Sequence, residues 1–231
     1  MYPNEVSAFL GKDGGIEGFR YAKTKGLIKH LGLTSHHISV LIDLVKTGEF
    51  DTVMFPFNVI ERDAENELLD LCCSLDIGTL VMKPLAGGAI RNRAQAFRFF
   101  NSYPVDVILN GVSSVDELHE NLGHMTDQTP LTPQELSSLE TEVASLGKEF
   151  CRRCSYCMPC PNDIRIPDMI HIFYQTVKGI PFDQLPPDKK ETGKNLLVWL
   201  QACEQCGKCE EKCPYTLPTR KRVKELIEIF S

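Results

Sequence analysis

The sequence has no apolar run approaching the roughly 18–20 residues that a membrane-crossing helix needs. Its first residues, Met1-Tyr2-Pro3-Asn4-Glu5, carry neither the basic stretch nor the apolar core of a secretory leader. It also lacks a basic stripe: 25 Lys and Arg stand against 31 Asp and Glu, and the net charge of -6 argues against a nucleic-acid-binding surface. Cysteine is almost missing from residues 1–124, which hold only Cys72 and Cys73. Together these absences exclude nucleic-acid and membrane partners and a secreted disulfide scaffold. They lead us to expect a cytoplasmic metal or redox protein.

What is present divides in two. The other eight cysteines all lie in residues 125–231, and that shift sets the expected domain boundary at 124/125. Beside it lies a polar, proline-broken linker, Thr126-Asp127-Gln128-Thr129-Pro130-Leu131-Thr132-Pro133. Thr132, Pro133 and Glu135 then have the spacing of a helix start, with Thr132 as N-cap, Pro133 at the first helical position and Glu135 closing a capping box.

Residues 1–124 repeat one unit, an amphipathic helix followed by a short apolar run. The runs are 28–34, 52–55, 79–83 and 105–109, spaced as strands alternating with helices in a parallel sheet would be. Helices are expected over 16–25, over 38–46 with Leu41, Ile42 and Val45 on one face, and over 64–75 with Leu68, Leu69, Cys72 and Leu75 on one face. Four such units fit either a small doubly wound sheet or half of an eight-stranded barrel, and periodicity leaves both open.

In the second part, Cys203-Glu204-Gln205-Cys206-Gly207-Lys208-Cys209-Glu210-Glu211-Lys212-Cys213-Pro214 is C-x2-C-x2-C-x3-C-P. That is the bacterial ferredoxin run, in which three cysteines hold one 4Fe-4S cluster and the fourth reaches another. Gly207 permits the tight wrapping this needs. The first motif is Cys151, Cys154, Cys157 and Cys160, followed by Pro161, with a last gap of two residues instead of three. By analogy with ferredoxins, Cys151, Cys154, Cys157 and Cys213 are expected to hold one cluster, and Cys203, Cys206, Cys209 and Cys160 the other. The alternative is zinc, which takes four ligands from paired C-x2-C knuckles. Helices are expected around the motifs, over 168–177 with Met169, Ile170, Phe173 and Val177, over 193–202 with Leu196, Leu197, Trp199 and Leu200, and over 217–230 with Val223, Leu226, Ile227 and Phe230.

Three stretches of the first part resemble one family. Ile28-Lys29-His30-Leu31-Gly32-Leu33-Thr34-Ser35-His36 resembles the fifth strand of an aldo-keto reductase. Met82-Lys83-Pro84-Leu85-Ala86-Gly87-Gly88 resembles the end of the seventh strand. Leu109-Asn110-Gly111-Val112-Ser113-Ser114-Val115-Asp116-Glu117-Leu118-His119-Glu120-Asn121-Leu122 resembles the eighth strand and its helix. The cysteine-rich tail around Cys151–Pro161 is similar to that of a subgroup fused to a ferredoxin-like module. The resemblance implies an α/β fold: the C-terminal half of a (β/α)8 TIM barrel, strands five to eight, followed by a small all-α ferredoxin-like 4Fe-4S domain.

It also implies a nicotinamide dinucleotide, NAD or NADP, in the complete protein. Pro84, Leu85, Ala86, Gly87, Gly88, Gly111 and Ser113 would cradle it, and Glu120 and Asn121 would face its adenine. Two positions depart from the family pattern. Met82 stands where many members stack a tyrosine, and Glu117 where many hold a 2′-phosphate with an arginine. A carboxylate there repels that phosphate. His36, His37 and Lys83 sit at strand ends, where they either line a pocket or are merely solvated. The family's acid–base residues belong to the first four strands, which nothing in this sequence matches. The resemblance therefore implies a truncated chain whose missing half-barrel, or a second copy, would cover its open sheet edges. Three functions follow as alternatives: an iron–sulfur oxidoreductase of this type, an electron-transfer module serving a redox partner protein, or a structural iron–sulfur module.

Overall fold

The structure, a computed structural model, describes residues 3–144 and 150–231. The chain clusters into two compact units, Met1–Ser145 and Leu146–Ser231. No helix among the described residues is long and apolar enough to cross a membrane.

In the first unit, α1 (Val6–Leu10) and α2 (Gly15–Thr24) precede β1 (Gly32–Thr34). There follow α3 (Ile38–Val45), β2 (Thr52–Pro56), α4 (Leu68–Ser74), β3 (Gly78–Met82), α5 (Arg93–Arg98), β4 (Val107–Leu109), α6 (Val115–Thr126) and α7 (Pro133–Ala144). The four strands form one parallel sheet in the order β1-β2-β3-β4, with Gly32 opposite Thr52, Thr52 opposite Gly78, and Leu80 opposite Val107. A doubly wound sheet reverses its strand order at a switch point. This order never reverses, as in the wall of a barrel.

The register is pinned at the strand starts by two aspartates. Asp51 accepts the Leu31 amide at 2.8 Å, joining β1 to β2. Asp106 accepts both the amide and the hydroxyl of Thr79, at 2.7 and 2.8 Å, joining β3 to β4. Val53, Phe55 and Val81 of the strands and Leu41, Leu44 and Leu68 of α3 and α4 are fully buried. Leu75, expected on the buried face of its helix, is 48% exposed because it caps the end of α4, past the stripe of Leu68, Leu69 and Cys72.

The expected capping box is formed. Glu135 donates its amide to Thr132 Oγ1 at 3.2 Å, and its carboxylate accepts the Thr132 amide at 2.9 Å. The same carboxylate takes two hydrogen bonds from Arg98 of α5, at 2.7 and 3.1 Å. The Arg98 guanidinium and the Thr132 amide hold the Glu135 carboxyl down at about 2. Arg62 pairs with Glu140 at 3.0 Å. These contacts fasten α7 to the first unit, so the compact units divide later than the compositional boundary at 124/125. Chain composition marks where the cysteines begin, whereas packing assigns α7 to the sheet.

The second unit has no strand among its described residues. Residues Ile166–Ile172 wind as a π-helix that runs into α8 (Phe173–Val177), where a regular α-helix over 168–177 was expected. Then come α9 (Pro187–Gln201), α10 (Lys208–Glu211) and α11 (Thr219–Phe230). Ile164, Ile166, Ile170, Phe173, Leu200, Val223, Leu226 and Phe230 form its core. Trp199 is 47% exposed and lies outside it. The inward stripe of α9 runs through Gly193, Leu196, Leu197 and Leu200, one helical step away from Trp199.

Candidate metal centres and cofactor cleft

The cysteine motifs are loops whose backbone turns repeatedly. Each of the two-residue gaps joining the first three cysteines of a motif contains one residue in the left-handed region. These are Arg153 (φ 54°) and Ser155 (φ 62°) in the first motif, and Gln205 (φ 56°) and Gly207 (φ 78°) in the second. A residue at positive φ reverses the chain locally, so successive cysteines can face the same side. Only Gly207 announced this in the sequence. The other three are ordinary L-residues held there by the loop.

The sulfurs gather across the motifs. Burial first, and then its neighbours Cys151, Cys154 and Cys213, push the Cys157 thiol up to about 12. Cys213, from the end of the second motif, is thus beside the first three cysteines of the first. Conversely Cys160, from the end of the first motif, lines one cavity with Cys203, Cys206 and Cys209. Pro159, Pro161, Ile164, Ile166 and Ile170 wall that cavity, and Cys157 also borders it. Burial likewise raises Cys209. Thiols crowded in an apolar wall resist ionisation because each thiolate repels the others. A multivalent iron cluster supplies the positive charge that makes four thiolates tolerable together. The donor set therefore fits 4Fe-4S clusters. No disulfide occurs among the described cysteines.

Two arginines brace these loops. The Arg152 guanidinium lies 4.0 Å from the Phe150 ring and 4.4 Å from the Tyr215 ring. It clamps the start of the first motif to the segment after Cys213 by cation–π contact. Arg220 donates its amide and Nε to Glu210, both at 2.8 Å, joining α10 to the start of α11.

The first unit holds an open cleft of about 610 Å³ at the C-terminal ends of β3 and β4. Pro84, Leu85, Gly87, Gly88 and Gly111 line it. Lys83, Ala86, Gly87 and Gly88 all have positive φ, so this turn is a strained one whose glycines are required. Ala86 is buried and lies outside the lining. Ser113 also lies outside the lining, donating its amide and hydroxyl to Glu117 at 2.8 and 2.7 Å. Glu120 pairs with Arg93 at 3.1 Å. Asn121 is buried, and neither its Oδ1 nor its Nδ2 finds a hydrogen-bond partner among the described residues. The structure thus brings five of the nine expected cofactor residues to the cleft and leaves the other four behind its rim.

Three cations stand at that rim, Lys83, Arg91 and Arg93. The sequence directed attention only to Lys83. The run Arg91-Asn92-Arg93 just beyond the glycine turn was the overlooked signal, with Asn92 capping α5 through the Gln95 amide at 3.2 Å. Glu117 lines the cleft too, but Arg93 pairs with it at 3.1 Å, which offsets much of the repulsion expected from a lone carboxylate. His36 is held down to about 4, chiefly by burial and then by the nearby Lys83 charge. Burial also lowers His37. Basic groups and a backbone turn of small residues together fit an anionic ligand.

Comparison with known proteins agrees with both parts. Residues 15–101 match the aldo/keto reductase family, and residues 150–218 match a 4Fe-4S dicluster domain. The chain thus carries a stretch similar to aldo/keto reductases followed by one similar to a 4Fe-4S dicluster domain. Aldo-keto reductase AKR11C1 from Bacillus halodurans is 20% identical in its holo form, covering 56% of this chain and 55% of that one with a TM-score of 0.47. Its apo form is 20% identical, covers 56% of each and has a TM-score of 0.48. The thermostable aldo-keto reductase Tm1743 is 17% identical over 55% of this chain and 53% of that one, with a TM-score of 0.43. The chain spans about half the length of these structures. No curated protein matches it.

Proposed function

We propose that this chain is the C-terminal part of an iron–sulfur oxidoreductase of the aldo-keto reductase type, with two 4Fe-4S clusters and a site for NAD or NADP. The crosswise gathering of the cysteines carries the proposal. Cys151, Cys154, Cys157 and Cys213 would hold one cluster, and Cys203, Cys206, Cys209 and Cys160 the other. Each motif lends its last cysteine to its neighbour, so the two loops are also tied to one another. The clusters, when bound, accept and release single electrons, and the dinucleotide supplies a hydride for carbonyl or alcohol chemistry in the complete protein. The chain's own residues bind and position these groups. Arg152 and the Glu210–Arg220 pair hold the cysteine loops in register. The glycines Gly87 and Gly88 let a pyrophosphate approach the backbone closely, and Arg91, Arg93 and Lys83 supply its countercharge.

On this reading β1–β4 are strands five to eight of a barrel, completed by a further half-barrel or by a second copy. A second reading keeps the clusters but no catalysis, leaving an electron-transfer or structural module that serves a redox partner. It is favoured by the edges of the sheet, since β1 and β4 each pair on one side only among the described residues. The test is metal and sulfide analysis of the anaerobically purified chain, joined to titration with reduced nicotinamide followed by fluorescence. We expect about eight irons and as many acid-labile sulfides, and saturable dinucleotide binding weakened by Arg93→Gln. Zinc without sulfide would sink the cluster assignment. Iron without dinucleotide binding would leave the second reading.

A further inference from the structure

Three of the few buried polar side chains of the second unit touch one another. His171, Thr219 and Arg222 are each at most 2% exposed. Arg222 Nη1 lies 2.8 Å from His171 Nδ1, and His171 Nε2 lies 3.1 Å from Thr219 Oγ1. Thr219 lines the cavity of Cys160, Cys203, Cys206 and Cys209. A line of hydrogen bonds therefore runs from a buried cation to a hydroxyl on the wall of the cavity that Cys209 also lines.

The direction of that line follows from which atoms can donate. Arginine has N–H donors and no acceptor, so His171 Nδ1 must accept and carries no proton. The ring is then neutral, with its one proton on Nε2, and burial reinforces this by holding His171 down to about 4. Nε2–H donates to Thr219 Oγ1. The threonine hydroxyl proton is left to turn toward Cys209 or toward the Leu217 carbonyl at 3.4 Å. The carbonyl is too distant for a good O–H···O bond, and a thiolate is the stronger acceptor. The N–H donors of the line thus point toward the cavity, where the threonine hydroxyl can turn from the Leu217 carbonyl to a cluster-bound Cys209 thiolate. At the outer end, Arg222 rests 5.1 Å from the Tyr174 ring, whose hydroxyl donates to Glu225.

We propose that Arg222, His171 and Thr219 form a one-way hydrogen-bond relay that raises the reduction potential of the cluster held by Cys203, Cys206, Cys209 and Cys160. The proposal rests on the cluster assignment above. Reduction adds negative charge to the cluster and its sulfurs. A donor fixed on a ligand sulfur, backed by a buried positive charge, stabilises the reduced state more than the oxidised one. The surroundings are apolar, so the effect is screened little. The three are positioning residues, acting through Cys209.

A purely structural role, tying Ile166–Ile172 to α11, would leave the potential alone, and that separates the two. The full chain, reconstituted anaerobically, is titrated with reductant while electron paramagnetic resonance follows each reduced cluster. Thr219→Val is expected to lower the midpoint of one cluster and leave the other unmoved, at unchanged iron content. Thr219→Ser should restore the wild-type midpoint, and Arg222→Gln should lower the same one. Midpoints unmoved in a fully loaded Thr219→Val chain would overturn the relay alone. A wild-type chain that reconstitutes without acid-labile sulfide would overturn the cluster assignment, and the relay with it. Nitrogen-15 spectra of the wild-type histidines provide a check that needs no variant. A proton on His171 Nε2 is expected, and a proton on Nδ1 would refute the relay even if Thr219→Val failed to fold.

Discussion

A thiol packed among aliphatic side chains ionises reluctantly, and burial pushes fully buried Cys72 up to about 11. It acts as a small apolar filler in α4. Cys206 is the same side chain in another setting, exposed and bordering the cavity that Cys203, Cys209 and Cys160 share. Cys72→Ser should cost about 1–3 kcal/mol through a poorly partnered buried hydroxyl, with the visible charge-transfer absorbance intact. On the proposed cluster assignment, Cys206→Ser should remove much of that absorbance and loosen the second unit, because metal binding would then be part of its folding free energy. Equal absorbance in the two variants would contradict the assignment. The spacing of the cysteines made the two motifs legible from the sequence. The residues that make the spacing workable, Arg153, Ser155 and Gln205 at positive φ, were not, since nothing in their chemistry calls for that conformation.

Between elements, α9 and α11 approach at Gly193. A Cβ built there would stand 2.1 Å from Phe230 Cε1, in a core where Phe230 also packs on Phe173 with ring centroids 5.6 Å apart. Gly193→Ala must displace that ring. It should destabilise the second unit by about 1–3 kcal/mol, although alanine is the better helix former by about 1 kcal/mol. Thermal or denaturant unfolding of the iron-loaded chain checks this, and a stabilised variant would show that Phe230 moves freely. Strands and helices were readable wherever the apolar period was long. Short stretches misled at their margins, because the period does not say where a helix stops, as with Leu75, or which of two adjacent apolar residues lies on the stripe, as with Trp199. The π-winding of Ile166–Ile172 has no counterpart in the period of its apolar residues.

For the whole molecule, the two units hold together by different means. The first buries Leu41, Leu44, Val53, Phe55, Leu68 and Val81 around a parallel sheet whose core contains no motif cysteine. The second hangs short helices on two cysteine loops. Stripping iron from the chain with a chelator should therefore melt helical signal belonging to the second unit and leave the first folded, as hydrogen exchange resolved by segment would report. Protection lost equally from β2 and from α11 would refute this. The alternating runs, the capping box at Thr132 and Glu135, and the two ferredoxin-like motifs were all determined by residue type and spacing, because local geometry and ligand chemistry act over a few residues. The unreversed strand order depended on tertiary packing. So did the pairing of Arg93 with Glu117, the transfer of α7 to the first unit, and the meeting of His171, Thr219 and Arg222. Each depends on which distant segments share a low-dielectric interior, and contacts between segments far apart in the chain leave no period in the sequence.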